Sequence, residues 1–166
     1  FMKFLYIKKA AVIFTAACMA ASFSISVYAE ETTDESDENT FTDEVLTYKT
    51  VDGGVYITDC DDNVSSVNIS KEVDGYAVIG VETNAFAECE KLKEVILPDS
   101  VKYMGESVFT GCTGLKKVKI PDGITEIPKQ TFALCVELEE IEIPQSVTTI
   151  GEYAFSYCND LSWFVI

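Results

Sequence analysis

The side chains able to do chemistry in this chain are few, and the missing types decide much of the question. No histidine and no arginine occurs among its 166 residues. That removes the usual general base and the commonest metal ligand. Asp59-Cys60-Asp61-Asp62-Asn63 sets three acids and an amide within five residues, as a calcium loop does at its start. Its sixth position, however, is Val64 rather than the glycine of the sharp turn, and its twelfth is Ser70 rather than a bidentate glutamate. The stretch reads as a polar turn, with no metal expected. No P-loop, GxGxxG, CxxC or serine–histidine–aspartate set is present. No catalytic residue and no cofactor is therefore expected, and the chain does not read as an enzyme.

The remaining reactive type is cysteine, present six times. Cys89, Cys112, Cys135 and Cys158 are each 23 residues apart, and so are Phe86, Phe109, Phe132 and Phe155. Leu92, Leu115, Leu138 and Leu161 keep the interval, as do Pro98, Pro121 and Pro144. No insertion interrupts the register from Val78 to Ile166. A fixed period of this length means stacked supersecondary units, none able to bury its apolar face alone. Equivalent cysteines in adjacent coils then lie about 4.8 Å apart with side chains pointing the same way. A disulfide wants Cβ atoms nearer about 3.8 Å and turned toward each other. The four are expected to form a column of buried thiols acting as small hydrophobes. Cys60 stands outside this ladder and reads as a lone thiol.

One unit shows how the elements arise. Leu138-Glu139-Glu140-Ile141-Glu142-Ile143 alternates apolar and charged at its end, which predicts a short strand with one buried face. Pro144 closes it, because a residue without an N–H cannot continue a ladder between two neighbours. Val147, Ile150, Ala154, Phe155 and Cys158 are expected to fill the interior on the return path. The segment from Ala154 to Cys158 suits a helical turn or 3₁₀ piece. Gly105 and Gly151 mark a bend entering that turn, with Pro128 at the equivalent place in the middle unit. Each fully buried apolar side chain is worth on the order of 2 kcal/mol, realised only when neighbours stack.

The front of the chain differs. Lys3, Lys8 and Lys9 precede an uncharged run from Ala10 to Ala29, and Val27-Tyr28-Ala29 offers a cleavage site. Residues 1–29 read as a secretory signal peptide. An uncleaved anchor is the rival, though Ser, Thr and Ala make the run weakly apolar. Removing it leaves nine lysines against 28 acids, a charge of −19. Residues 30–44 carry eight of those acids and no base, and are expected to be a disordered, solvated linker. Residues 45–166 hold the nine lysines and the other 20 acids, a charge of −11. That balance disfavours nucleic acid and anionic membrane surfaces as partners.

Residues 45–63 read as a β-hairpin cap, with Asp52-Gly53-Gly54 as its turn. Val64, Val67 and Ile69 repeat the later strand spacing, but 28 rather than 23 residues before Leu92, Val95 and Leu97. Residues 64–77 are therefore a divergent first coil, with five extra residues around Lys71 to Gly75. Full units occupy 78–100, 101–123 and 124–146, with an incomplete one at 147–166.

The pattern L-x-x-V-x-I-P, then V-x-x-I-G, then A-F-x-x-C-x-x-L, in a 23-residue unit, resembles the BspA-like leucine-rich repeats of bacterial surface proteins. The resemblance covers Val78 to Ile166 well and 64–77 loosely. It implies an α/β repeat solenoid with a short parallel β-sheet on its concave side. It also implies a secreted or cell-surface protein that binds host proteins or other cells, without enzymatic activity. Asn63-Val64-Ser65 and Asn68-Ile69-Ser70 match the glycosylation triplet, but in a bacterial chain they count as accidental.

If the strands pair in register, their outward residues form columns. One is Glu94, Lys117, Glu140 and Trp163; a second is Ile96, Lys119, Glu142 and Val165. A third runs through Lys93, Lys116, Glu139 and Ser162. Facing opposite charges read either as a solvated ion-pair ladder or as a charged binding surface. Trp163 reads as a binding anchor or as a residue that a further coil covers. The expected partner is a protein or a surface polymer, bound on this face. The alternatives are a structural spacer and an accessory domain of a longer protein continuing past Ile166.

Overall fold

The computed structural model describes residues 39–165. The signal peptide expected over 1–29 and most of the linker expected over 30–44 lie outside these. The first strands are β1 Thr40–Thr42, β2 Leu46–Val51, β3 Gly54–Cys60, β4 Ser66–Asn68, β5 Glu72–Val73 and β6 Tyr76–Val81. The repeats then supply β7 Glu94–Ile96, β8 Tyr103–Met104, β9 Lys117–Lys119, β10 Glu126–Ile127, β11 Glu140–Glu142, β12 Thr149–Ile150 and β13 Trp163–Val165.

One strand from each coil enters a five-stranded parallel sheet, in the order β13-β11-β9-β7-β4. Val95, Val118 and Ile141 point into the core while the residues on either side of each face solvent. This is the period-two alternation of a half-buried strand. A second ladder forms on the return path. Gly105 N–H donates to Val81 C=O and Gly151 N–H to Ile127 C=O, both at 2.8 Å, alongside the pairs β6–β8 and β10–β12. Between β8 and β10 the ladder is interrupted. Pro128 holds the place of Gly105 and Gly151 there and has no N–H to give.

The expected helical turns are absent among the described residues. The segment after each return strand is instead a run of single turns, as in Ala85 N–H to Glu82 C=O and Ala87 N–H to Asn84 C=O, at 3.3 and 2.9 Å. Helix growth is stopped because left-handed residues recur four apart in every coil. Asn84, Ser107, Gln130 and Tyr153 form one such column, and Glu88, Gly111, Leu134 and Tyr157 the other, all with φ between 55° and 75°. In the coils before the last, their N–H groups turn out of the coil and donate to the next one, as from Glu88 to Thr110 and from Leu134 to Ser156, both 2.8 Å.

Inside, Phe86, Phe109, Phe132 and Phe155 stack with ring centroids 5.2, 5.4 and 5.3 Å apart. The first three are fully buried and Phe155 is half-buried. Ile150, expected inside, is 51% exposed, because no neighbour among the described residues lies over the last coil's outer side.

At the other end β2 and β3 pair antiparallel around Asp52-Gly53, with Gly53 at φ 87°. Leu46, Tyr48, Val55 and Ile57 join the repeat core, and β3 continues the sheet by pairing parallel with β6. The linker boundary moves: Thr40–Thr42 is not tether but pairs antiparallel with β2, and Phe41 stacks on Tyr48 at 5.3 Å. An aromatic residue with such a partner outweighs the acidic composition around it. The five extra residues of the first coil form the tight hairpin β5–β6, turned at Asp74 and Gly75 with φ 48° and 82°.

Candidate functional site

The columns expected from the period exist in the backbone. Glu94 pairs with Lys117, Lys117 with Glu140, and Glu140 with Trp163. Ile96, Lys119, Glu142 and Val165 occupy the same ladder. Glu94, Lys117, Lys119, Glu140 and Glu142 are all exposed, and Ile96 is 39% exposed among them. Ser66 and Asn68 extend both columns by one strand, since they pair with Glu94 and Ile96. Sequence reasoning left them out, although Val64, Val67 and Ile69 already bracketed them at the right spacing.

The ion-pair ladder is sparser than the sequence implies. Lys116 reaches Glu139 at 3.0 Å and Glu137 at 3.8 Å. The Glu139 carboxylate, by hydrogen bond and charge, holds the Lys116 ammonium above its ordinary pKa. Lys119 turns to Asp99 at 3.9 Å rather than to Glu142, and no ion pair among the described residues joins Lys117 to Glu140. Exposed pairs of this kind are weakly held, so the face presents rearrangeable charge.

The polar turn is bonded within itself. Asp61 Oδ1 accepts from the backbone N–H and the side-chain amide of Asn63 at 2.8 and 3.1 Å. Among the described residues, no group of three Asp, Glu or Cys side chains is placed to hold a metal ion. Cys60, Cys89, Cys112, Cys135 and Cys158 are free thiols. Cys112, Cys135 and Cys158 each donate to a phenylalanine carbonyl of the preceding coil, at 2.9, 3.1 and 3.1 Å. Cys60 is a free thiol, as its place outside the 23-residue ladder suggested. Its thiol donates to Asp61 C=O at 3.7 Å, and the neighbouring Cys89 thiol together with burial raises its pKa. A neutral, buried thiol is inert as a nucleophile.

The feature that repeats from coil to coil is thus an exposed, mixed-charge sheet face. Residues 58–166 match the family model for the BspA type leucine rich repeat region, in six copies. A leucine-rich cell surface protein of Faecalibacterium prausnitzii is 30% identical with a TM-score of 0.71, the match covering 78% of this chain and 34% of that one. A leucine-rich repeat protein of Bacteroides capillosus is 29% identical, TM-score 0.68, with 76% and 97% covered. The leucine-rich repeat protein of T. pallidum is 31% identical, TM-score 0.64, with 75% and 70% covered. This chain thus spans about a third of the F. prausnitzii protein and most of the other two. No curated protein sequence matches it. Period, register and these likenesses agree: the chain belongs to the BspA-type leucine-rich repeat family.

Proposed function

We propose that this is an exported, non-enzymatic recognition module of the bacterial surface, which binds a protein or a surface polymer on the exposed face of its five-stranded sheet. One observation carries the reading: three successive strands hold Glu94, Lys117, Glu140 and Ile96, Lys119, Glu142 in register, all pointing to solvent. Such a face has breadth and mixed charge but no reactive pocket, which suits adhesion rather than turnover. The basic start and apolar run of residues 1–29 support export, and the cell-surface name of the F. prausnitzii relative supports the location. The hairpin of β2 and β3 serves as the cap of the apolar end.

Arrays of extracellular-matrix proteins and bacterial wall polysaccharides, probed with the full chain and with Lys117→Glu and Trp163→Ala, test this. The expected result is one or more bound probes whose signal falls in both variants while their folding is unchanged. Binding indifferent to both substitutions would overturn the sheet-face assignment. The spacer reading draws on the Lys116–Glu139 pair, which satisfies part of the face internally. It predicts that no probe is retained.

A further inference from the structure

Strand β4 is an open edge of the five-stranded sheet. The N-terminal hairpin closes the core beneath the first coil, yet it pairs through β3 with β6 in the other sheet. Among the described residues it therefore leaves the outer side of β4 without a strand. Ile69 N–H donates to Ile96 C=O at 3.0 Å, which turns the main-chain groups of residues 67 and 69 toward β7. The alternation of a parallel ladder then turns those of Ser66 and Asn68 to the open side. Beside them lies a cleft of about 370 Å³ between the Asp43–Tyr48 segment and β4. Buried Leu46 and Val67 and half-buried Val73 line it, together with the exposed acids Asp43, Glu44 and Glu72. Asp43 is fixed in place, since its Oδ1 accepts from Val45 and Leu46 N–H at 2.7 Å each and its Oδ2 from the Tyr48 hydroxyl at 2.8 Å.

We propose that β4 is a docking edge for an extended polypeptide segment of another protein, added as a sixth strand beside Ser66–Asn68. Main-chain bonds to Ser66 and Asn68 supply register, and the apolar lining takes every second side chain. The other side chains are lysine or arginine, because the residues bordering the cleft are acidic. The same charge argues against this chain's own residues 30–38, which carry six acids and no base. This edge is distinct from the sheet face, so the two readings stand or fall separately.

The probe is a fluorescein-labelled heptapeptide alternating lysine and valine, titrated into the full chain and followed by fluorescence anisotropy. Two companion peptides carry glutamate for lysine, or backbone N-methyl groups on alternate residues. Saturable binding below about 1 mM is expected, weakened about tenfold or more by either change. Asn68→Pro removes an N–H from the open side without touching the ladder to β7, and should weaken binding similarly. Glu72→Lys should also weaken it, and Lys117→Glu should leave it unchanged. Should Asn68→Pro fail to fold, the N-methyl comparison on the native chain decides alone. Absence of binding at that concentration, equal binding of the N-methylated peptide, or equal binding of the glutamate peptide would each overturn the proposal.

Discussion

The thiol of Cys112 donates to the carbonyl oxygen of Phe86 at 2.9 Å, across the boundary between two coils. The same oxygen accepts the N–H of Cys89 at 3.3 Å, so one buried carbonyl ties a turn to itself and to its neighbour. The cysteine column is thus more than small apolar filling. The thiols of Cys112, Cys135 and Cys158 each satisfy a carbonyl lone pair that a valine or alanine would leave unpartnered.

The burial of the Cys112 thiol gives stability a pH dependence. Burial, and secondarily the neighbouring Cys89, push the Cys112 thiol up from its ordinary value of 9 to about 12. Between those values the folded chain keeps a proton that the unfolded chain has released. Stability is therefore complete below the unfolded value and falls as pH rises through the window, by up to about 1.4 kcal/mol per pH unit for the site. Cys112→Ala should cost about 1–2 kcal/mol at neutral pH and make the alkaline decline shallower. Urea unfolding at neutral and alkaline pH, under reducing conditions, checks both. An alkaline decline unchanged in the variant would remove the thiol from the explanation.

The phenylalanine stack distributes its support unevenly. Phe109 is fully buried between the rings of Phe86 and Phe132, whereas Phe155 at the end of the stack is half-buried. Phe109→Ala should destabilise by about 3–5 kcal/mol, the range for truncating a buried aromatic. Phe155→Ala should cost clearly less. Chemical denaturation of the two variants side by side would contradict this ordering if the losses were equal.

The ladder on the return path makes a sharper case. Gly105 N–H bonds to Val81 C=O, and any Cβ at 105 would press on the backbone of Thr83. At Pro128 the corresponding donor is missing, and the ladder stops there. Gly105→Pro should extend the interruption to the first coils and leave the carbonyl of buried Val81 without this partner. The expected loss is about 1–3 kcal/mol, with faster amide exchange at Lys102, whose N–H donates to Ile79 C=O in the same ladder. Unaltered exchange at Lys102 would show that the ladder adds nothing.

How much of this was legible in the sequence depends on which constraints repeat. A constant 23-residue interval sets the register by itself, so Glu94, Lys117, Glu140 and Trp163 align. The free thiol of Cys60 was legible, but its closeness to Cys89 was not, because it stands 29 positions earlier and its place comes from the hairpin's packing. Nor were the left-handed columns, where Asn84, Ser107, Gln130 and Tyr153 share no side-chain property. Their conformation is imposed by the donors and acceptors of the coils on either side. Ion-pair partners such as Lys119 and Asp99 also escaped, since long exposed side chains choose among several neighbours at little energetic difference.

Those left-handed positions yield a final expectation. Leu134 sits at φ 63° and is 45% exposed, while its equivalent one coil earlier is Gly111 at φ 75°. A side chain in this region costs about 1–2 kcal/mol, and glycine's extra unfolded-state freedom offsets about 0.5–1 kcal/mol of the relief. Leu134→Gly should therefore stabilise by a few tenths to about 1 kcal/mol, with the bond to Ser156 C=O kept. Leu134→Val should destabilise, because a β-branched side chain tolerates the left-handed region least. Thermal or urea unfolding of the two variants reads the order directly. If valine proved the more stable, the turn column would have to be held by side-chain packing at this site rather than by the backbone bonds that now account for it.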